Sequence, residues 1–175
     1  MLLPTDFISH IKNKLINTLE RDIQINKVEK VSGGSINESY KLSTNTVPFF
    51  IKVNSKKKFP GLFDSEEKGL NKLKSYSRFY VPKVILKDHF NDSAFLILPF
   101  LERGQTTSSF WTLFAENLAH LHQQSAEYFG FDEENYNGSL IQINAKKLRW
   151  ADFFVENRLM IQCKLARDNK IVDQA

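Results

Sequence analysis

The chain has 175 residues, of which 42% are hydrophobic and 25% charged, and it carries a net charge of +4 with a pI of about 9.1. This composition excludes an intrinsically disordered chain and allows a large core, to which the 15 Phe residues would contribute much of the volume. The sequence has neither an apolar run of membrane-spanning length nor a basic leader followed by an apolar run. We therefore predict no transmembrane segment and no signal peptide.

The single cysteine and the mild basic charge bear on location and partners. Cys163 lies in an apolar helical run and has no second cysteine to pair with. We expect it to be a small buried side chain in a reducing compartment, the cytoplasm. The basic pI is a weak argument for a nucleic-acid partner, because no motif that combines basic and aromatic residues accompanies it. We therefore predict neither nucleic acid nor a membrane as a partner.

The first hundred residues have the pattern of a β-rich unit. Apolar spacing predicts a helix after Thr5, with Thr5 as its N-cap, and a second helix from about Phe63 to Ser75. Turn signals at Asn45-Thr46 and Asn91-Asp92 separate neighbouring strands. The strands are predicted at about 24–31, 37–43, 47–53, 83–88 and 94–99. Together these segments predict a five-stranded antiparallel sheet with one helix between its third and fourth strands.

The pattern changes after Gly104. Residues 110–122 and 150–166 have apolar side chains at helical spacing, whereas residues 128–144 are polar and rich in turn-forming residues. We expect this part of the chain to contain helices only. The predicted fold class is therefore α+β, a β-rich lobe followed by helices.

A glycine pair, a strand lysine and a helical glutamate follow one another along the β-rich part. The segment Gly33-Gly34-Ser35-Ile36-Asn37 lies between the first two strands, where Gly permits a tight turn that directs backbone N–H groups at a phosphate. In kinases a Lys on the third strand contacts the α- and β-phosphates of ATP, and a helical carboxylate holds it. Lys52 and Glu66 occupy such positions here. The alternative carboxylate, Glu67, is expected to point elsewhere.

The order of these motifs resembles the fructosamine kinase (ketosamine-3-kinase) family, which has the fold of protein kinases. The resemblance covers almost the whole chain. Its matching stretches are Gly33 to Asn37, Phe50 to Lys52, Phe63 to Glu66, Val81 to Val84, Phe95 to Leu101, Leu118 to His122, Phe129 to Phe131, Asn135 to Ser139 with Gln142 and Asn144, and Trp150 to Phe154 with Arg158-Leu159.

The resemblance implies a protein-kinase-like small lobe, residues 1–101, that ends at the hinge. The first helices of an incomplete α-helical large lobe would follow in residues 102–175. The implied ATP-binding residues are Gly33, Gly34, Ser35, Ile36, Asn37, Lys52, Glu66, Pro99, Phe100 and Leu101.

Two of these residues depart from the pattern of the family. Many relatives have an acidic residue at the position of Pro99. Pro lacks only the N–H group, so its carbonyl can still accept from adenine while Leu101 donates. Ser35 stands where many members have Cys, so a thiol-based switch is not expected.

The resemblance is less definite on the substrate side. Asn135, Gln142 and Asn144 would shape the sugar side of the cleft, or alternatively stabilise turns. His120 and His122 do not share a helix face, so we predict no metal site there.

The catalytic and metal-binding residues that the resemblance implies are not found in this sequence. The resemblance implies a His-Gly-Asp-Leu-Trp motif whose Asp orients the substrate hydroxyl, and an Asn and a second Asp that hold Mg²⁺. None of these occurs among the 175 residues, and residues 168–175 resemble an inter-helix turn. We therefore expect the N-terminal part of an ATP-dependent ketosamine 3-kinase acting in protein deglycation. Its substrate would be a small ketosamine or a glycated lysine, and its Mg²⁺ ligands would lie beyond Ala175.

The polypeptide by itself is then expected to contain no catalytic residue and to be inactive. One alternative is a pseudo-kinase or nucleotide-binding interaction module. A basic nucleic-acid-binding protein is the last alternative. Residues 153–155 and 159–161 are apolar around much of a helix, so self-association through the C-terminal helices is also expected.

Overall fold

Five antiparallel strands form one sheet in the order β1-β2-β3-β5-β4. The strands are β1 (Ile25–Val31), β2 (Glu38–Thr44), β3 (Phe49–Ser55), β4 (Leu86–Phe90) and β5 (Ser93–Pro99). This computed structural model describes residues 3–32, 34 and 36–172, and it contains two compact units, Met1–Leu121 and His122–Ala175. The predicted five-stranded sheet is confirmed, and it belongs to the first unit.

Helix α1 (Thr5–Leu19) covers one face of the sheet because its apolar residues recur on one side. Phe7, Ile11 and Leu15 are buried, and the ring of Phe7 meets that of Phe95 on β5 edge to face at 5.5 Å. Each such side chain contributes about 1.5–3 kcal/mol when it leaves water. The sheet supplies the other half of this core through Tyr40, Leu42, Phe49, Ile51, Val53, Phe95 and Ile97.

The predicted N-cap of α1 is wrong. The N-cap is Pro4, and no side chain makes a capping hydrogen bond. The Pro4 carbonyl instead accepts the first helical bond, from the N–H of Ile8 at 3.0 Å. Thr5 is therefore the first helical residue.

Helix α2 (Leu62–Tyr76) packs against β5 and confirms the predicted helix to within a residue at each end. Side chains alternate across a strand, so Leu96 and Leu98 point away from the α1 core that holds Phe95 and Ile97. A second group of buried residues accompanies them, namely Phe59, Leu62, Phe63 and Val81. The sheet is thus buried on both faces.

Helix α3 (Phe110–His122) completes the first unit and also matches its prediction. None of its residues is buried, although the ring of Phe114 lies 5.5 Å from that of Phe79 in the segment after α2.

The second unit contains a hairpin that the sequence analysis missed. Strands β6 (Asn135–Asn137) and β7 (Leu140–Gln142) pair antiparallel, so the prediction of helices only is wrong. Gly138 has φ 59°, and it is the first residue of a two-residue loop. A type II′ hairpin turn needs a positive φ there, and Gly supplies it without strain. The pair Gly138-Ser139 was therefore the available signal.

The predicted helix over residues 150–166 is present but interrupted. It consists of α4 (Trp150–Phe154), a π-helical turn (Val155–Leu159) and α5 (Met160–Asp168). π-turns are rare and change the direction of the side chains that follow. Cys163 lies on α5 and is exposed, so the prediction that it is buried is wrong. The reason is that no residue of α5 is buried in this structure.

A polar network joins the hairpin region to the π-helical turn. The Nδ2 group of Asn144 donates to the Glu133 carbonyl at 2.9 Å and to Asn135 Oδ1 at 3.2 Å. Its Oδ1 accepts from Arg158 Nη2 at 2.7 Å, and Asn157 Nδ2 donates to the Ala145 carbonyl at 2.9 Å. Asn144 is only 6% exposed, so each of these bonds replaces water that the side chain has lost.

Asn144→Ala is expected to destabilise the second unit by about 1–3 kcal/mol, because it removes the three hydrogen bonds that this buried side chain makes with Glu133, Asn135 and Arg158. Gln142→Ala is the matched control, since Gln142 makes no side-chain hydrogen bond among the described residues, and its effect should stay within about 0.5 kcal/mol. Urea unfolding followed by tryptophan fluorescence of both variants gives the comparison. Equal loss in the two variants would contradict a structural role for Asn144.

Candidate functional site

Lys52 lies in the middle of β3, and the strand pattern fixes its direction. Ile51 and Val53 are buried in the α1 core, so Lys52 between them points to the opposite face, which α2 covers. Its side chain is 26% exposed, and it is paired in register with Leu96 of β5. The lysine is therefore held at the edge of a buried surface with its amine accessible.

The predicted ion pair is present. Lys52 Nζ lies 2.5 Å from Glu66 Oε1, and the Glu66 side chain is 22% exposed. Glu66 stands on the second turn of α2, and adjacent helical residues differ in direction by about 100°. Glu67 accordingly points elsewhere, to Lys87 of β4 at 2.7 Å. The choice of Glu66 over Glu67 is confirmed.

Lys87 holds α2 in place beside this pair. Its amine bridges two carboxylates of the helix, Asp64 at 2.6 Å and Glu67 at 2.7 Å. Burial alone would lower the pKa of Lys87, but the bonds to Asp64 and Glu67 raise it overall. Because the bridge ties α2 to β4, it limits how Glu66 can move. Sequence reasoning missed Lys87, and alternation along β4 offered only a weak signal for it.

The Lys52–Glu66 pair has little value for stability. Partly exposed ion pairs contribute about 0–1 kcal/mol, because water and salt screen the attraction. The fold could therefore lose the pair without unfolding. The arrangement instead fixes the position of one ammonium group above the sheet surface.

The glycine segment between β1 and β2 is partly described. Gly34 has φ 109°, a backbone conformation that residues with a Cβ rarely adopt. Gly33 and Ser35 lie outside the described residues. The segment is tied to β3 through Asn54, whose Nδ2 donates to the Ile36 carbonyl at 3.0 Å and to Asn37 Oδ1 at 2.6 Å. Asn54 lies on the same face of β3 as Lys52. That two-residue spacing was the signal by which it could have been found.

The predicted hinge residues lie at the end of β5 and directly after it, since Pro99 is the last residue of that strand. The Phe100 N–H donates to the Pro48 carbonyl at 3.2 Å, so Phe100 faces the edge of β3. Backbone groups of successive strand residues point to opposite edges, which directs the Pro99 carbonyl away from β3. The Leu101 N–H has no backbone acceptor within the described part of the chain, and Leu101 is 56% exposed. An acceptor and a donor are thus available two residues apart.

The side chain of Phe100 is itself packed. Lys41 Nζ lies 4.2 Å from its ring centroid, and the Phe50 ring lies at 6.5 Å. Lys41 also pairs with Glu102 at 2.7 Å. These contacts hold the segment after β5 against β2 and β3.

The predicted substrate residues lie in the second unit. Asn135 and Gln142 are opposite each other in the hairpin, and Asn144 bonds to Asn135. The contacts of Asn144 favour the turn-stabilising alternative for that residue. A substrate role for the three residues stays a prediction.

The described residues hold neither a metal site nor a membrane-spanning helix. No group of three or more His, Cys, Asp or Glu side chains within residues 3–32, 34 and 36–172 could hold a metal ion. Over the same part of the chain, no helix combines the length and the apolar character needed to cross a membrane.

The sequence has recognisable relatives. The sequence model of the fructosamine kinase family matches residues 7–175. A Vibrio parahaemolyticus protein named probable ketoamine kinase is 34% identical over 165 residues, which cover 92% of this chain and 56% of the relative. The chloroplastic protein-ribulosamine 3-kinase of Arabidopsis thaliana is 32% identical over 148 residues, covering 83% of this chain and 45% of the relative.

A solved structure has the same fold. The crystal structure of a Haemophilus somnus protein assigned as a fructosamine-3-kinase superposes with a TM-score of 0.83 at 28% identity, covering 94% of this chain and 56% of the other. This match confirms the protein-kinase-like architecture predicted from the sequence. The chain spans about half the length of the relatives it matches. The chain belongs to the fructosamine kinase family.

Proposed function

We propose that this chain forms the nucleotide-binding part of an ATP-dependent ketosamine 3-kinase. The observation that carries the proposal is the ion pair between Lys52 and Glu66 at 2.5 Å, on the third strand and the helix after it. The names of the relatives, ketoamine kinase and protein-ribulosamine 3-kinase, support the substrate class. The substrate would be a small ketosamine or a glycated lysine, and the wider role protein deglycation.

The residues fit ATP at both ends. At the adenine end, the Pro99 carbonyl accepts and the Leu101 N–H donates. At the phosphate end, the Lys52 ammonium contacts the α- and β-phosphates, and the backbone of Gly33 to Asn37 covers them. Glu66 keeps Lys52 directed toward the phosphates. We propose the hinge as the functional boundary between a small lobe of residues 1–101 and the start of a large lobe, residues 102–175.

The reaction proposed for the family is phosphoryl transfer. The ketosamine 3-hydroxyl oxygen bonds to the γ-phosphorus, the bond to the β,γ-bridging oxygen breaks, and a base takes the hydroxyl proton. Mg²⁺, when bound, would neutralise the charge that this transfer develops. We assign neither the base nor a metal ligand to the described residues. The proposed role of these 175 residues is therefore to bind and orient the nucleotide. A pseudo-kinase or an interaction module remains the alternative.

The variants of Lys52, Glu66 and Glu67 test the nucleotide site. Lys52→Ala should weaken binding of a fluorescent ATP analogue by about ten- to a hundredfold, because it removes a charge-assisted contact. Glu66→Gln should weaken it severalfold, and the matched control Glu67→Gln should leave it within about twofold. Fluorescence titration of the four proteins gives the affinities. Equal affinities for wild type and Lys52→Ala would exclude this site.

The same preparation tests catalysis. With ATP, Mg²⁺ and a fructose-lysine substrate, the 175-residue polypeptide should form no phosphorylated product above background, since the sequence has no His-x-Asp base motif. Turnover that survives repurification and disappears in Lys52→Ala would contradict this expectation.

We further propose that the chain associates with a second copy through its C-terminal helices. Exposed apolar side chains lie close together in sequence there: Trp150, Phe154, Val155, Leu159 and Met160. Such a surface in water favours association. Met160 is 60% exposed and is the clearest position for a test.

Sedimentation at micromolar concentration should show a dimer or larger species. Met160→Glu should shift it toward monomer, because it places a charge in the apolar surface. Gln162→Glu adds the same charge about 200° around the helix and should have no such effect. A wild-type monomer that fails to bind a hydrophobic dye would show that the surface is not available for association.

A further inference from the structure

A second concave site lies in the first unit, separate from the Lys52–Glu66 pair. It is a cavity of about 240 Å³ between the start of α2, the end of β3 and strands β4 and β5. Its volume falls below the range of about 300–1,000 Å³ that is usual for ligand pockets. Neither Lys52, Glu66 nor the hinge residues line it. The cavity therefore suits a molecule smaller than a nucleotide.

Part of the lining of this cavity is apolar. Phe59, Leu62 and Phe63 are buried and line it, together with the small side chain of Ala94 from β5. The aromatic rings offer apolar surface to a ligand. Ala94 leaves space that a larger residue at this position would fill.

The lining also includes Lys56 and His89, and the positive charge of Lys56 is uncompensated. Lys56 Nζ lies 3.1 Å from His89 Nε2, and an ammonium can only donate, so the imidazole offers its lone pair there. A neutral imidazole does not cancel the charge. Within the described part of the chain, no carboxylate lies at ion-pair distance from Lys56.

The acidic residues around the cavity are already engaged. Asp64 pairs with Lys87 at 2.6 Å, and Asp88 pairs with Lys14 of α1 at 2.6 Å. Burial alone would raise the pKa of Asp88, but the hydrogen bonds from Lys14 and the His89 N–H, with the charges of Lys14 and His10, lower it overall. Asp88 therefore stays a charged partner of α1. Lys56 is left as the cation that a ligand can neutralise.

We propose that this cavity binds a small free carboxylic acid with an apolar body. The carboxylate contacts the Lys56 ammonium, and the body lies against Phe59, Leu62 and Phe63. A charge-assisted bond of this kind is stronger than one between neutral groups, which gives the site a preference for acids over amides of the same shape.

The position of the cavity allows a ligand bound there to influence the Lys52 site through the residues that the two sites share or have as neighbours. Phe63 precedes Glu66 by three residues, so the two lie on neighbouring turns of the same side of α2. Asn54 also lines the cavity, and it holds Ile36 and Asn37 of the glycine segment. A bound acid would stabilise α2 in the position in which Glu66 meets Lys52. This effector role rests on the proposed function, whereas acid binding does not.

The binding test uses phenylacetate and its neutral counterpart phenylacetamide, added to the ¹⁵N-labelled chain. Phenylacetate should shift the amide signals of residues 54–64 and 87–94 in a saturable manner, and phenylacetamide should bind at least about fivefold more weakly. Lys56→Gln should lower the phenylacetate affinity by a similar factor, and the matched control Lys57→Gln should retain it. Lys57 does not line the cavity, and its backbone N–H donates to Asp92 at 2.9 Å.

Further variants and outcomes make the test decisive. Ala94→Met should fill the cavity and abolish binding, and the exposed Lys56→Gln change serves if Ala94→Met fails to fold. Equal binding of acid and amide, shifts that map elsewhere, no saturable shift, or full affinity in Lys56→Gln would each overturn the proposal. The effector role additionally requires slower hydrogen exchange of the α2 amides when phenylacetate is bound, and unchanged exchange would overturn that part. Neither readout needs nucleotide, so failure here is distinguishable from failure of the proposed ATP site.

Discussion

The direction of the Lys52 side chain depends on the burial of its two neighbours in β3. Ile51 and Val53 are fully or nearly fully buried under α1. Because side chains along a strand alternate between the two faces of the sheet, a change of register moves every side chain to the opposite face. A slip of one residue in register would place Lys52 in the apolar core and expose two large side chains to water, which costs several kcal/mol. The hydrophobic effect on one face of the sheet thus fixes a charged group on the other. The site follows from this constraint and not from the strength of the ion pair.

The helix that carries Glu66 is positioned by electrostatic contacts and by packing together. Leu62 and Phe63 are buried at its start, while Lys87 binds the carboxylates of Asp64 and Glu67 from β4. Three acidic side chains of one helix therefore have assigned partners on the sheet, two on Lys87 and one on Lys52. Each of these ion pairs contributes little to stability alone. Together they fix the orientation of α2 about its own axis. The first turn of α2 also borders the Lys56 cavity. A ligand in that cavity would therefore act on the helix whose rotation directs Glu66 to Lys52.

Much of the first unit could be predicted from sequence because its signals are local. Strand-like runs between turn signals marked the strands, Asn91-Asp92 marked a turn in which Asn91 has φ 53°, and helical spacing separated Glu66 from Glu67. The second unit was harder. Its hairpin has strands of three residues, too short for alternation to show, and its π-helical turn depends on contacts of Asn157 and Arg158 with the backbone of residues 143–145. The cavity beside Lys56 depends on side chains from four elements, and no local pattern brings these together. The exposure of Cys163 was missed for a similar reason, since burial depends on what packs over a helix.

We propose that Lys52, Glu66, the Pro99 carbonyl and the Leu101 N–H together bind ATP. A crystal structure of the chain with a non-hydrolysable ATP analogue tests this most directly. The expected result is phosphate oxygens within hydrogen-bond distance of Lys52 Nζ, with Glu66 still bonded to that amine, and adenine bonded to the Pro99 carbonyl and the Leu101 N–H. A nucleotide bound elsewhere, or Lys52 paired with Glu66 while the phosphates contact other residues, would contradict it.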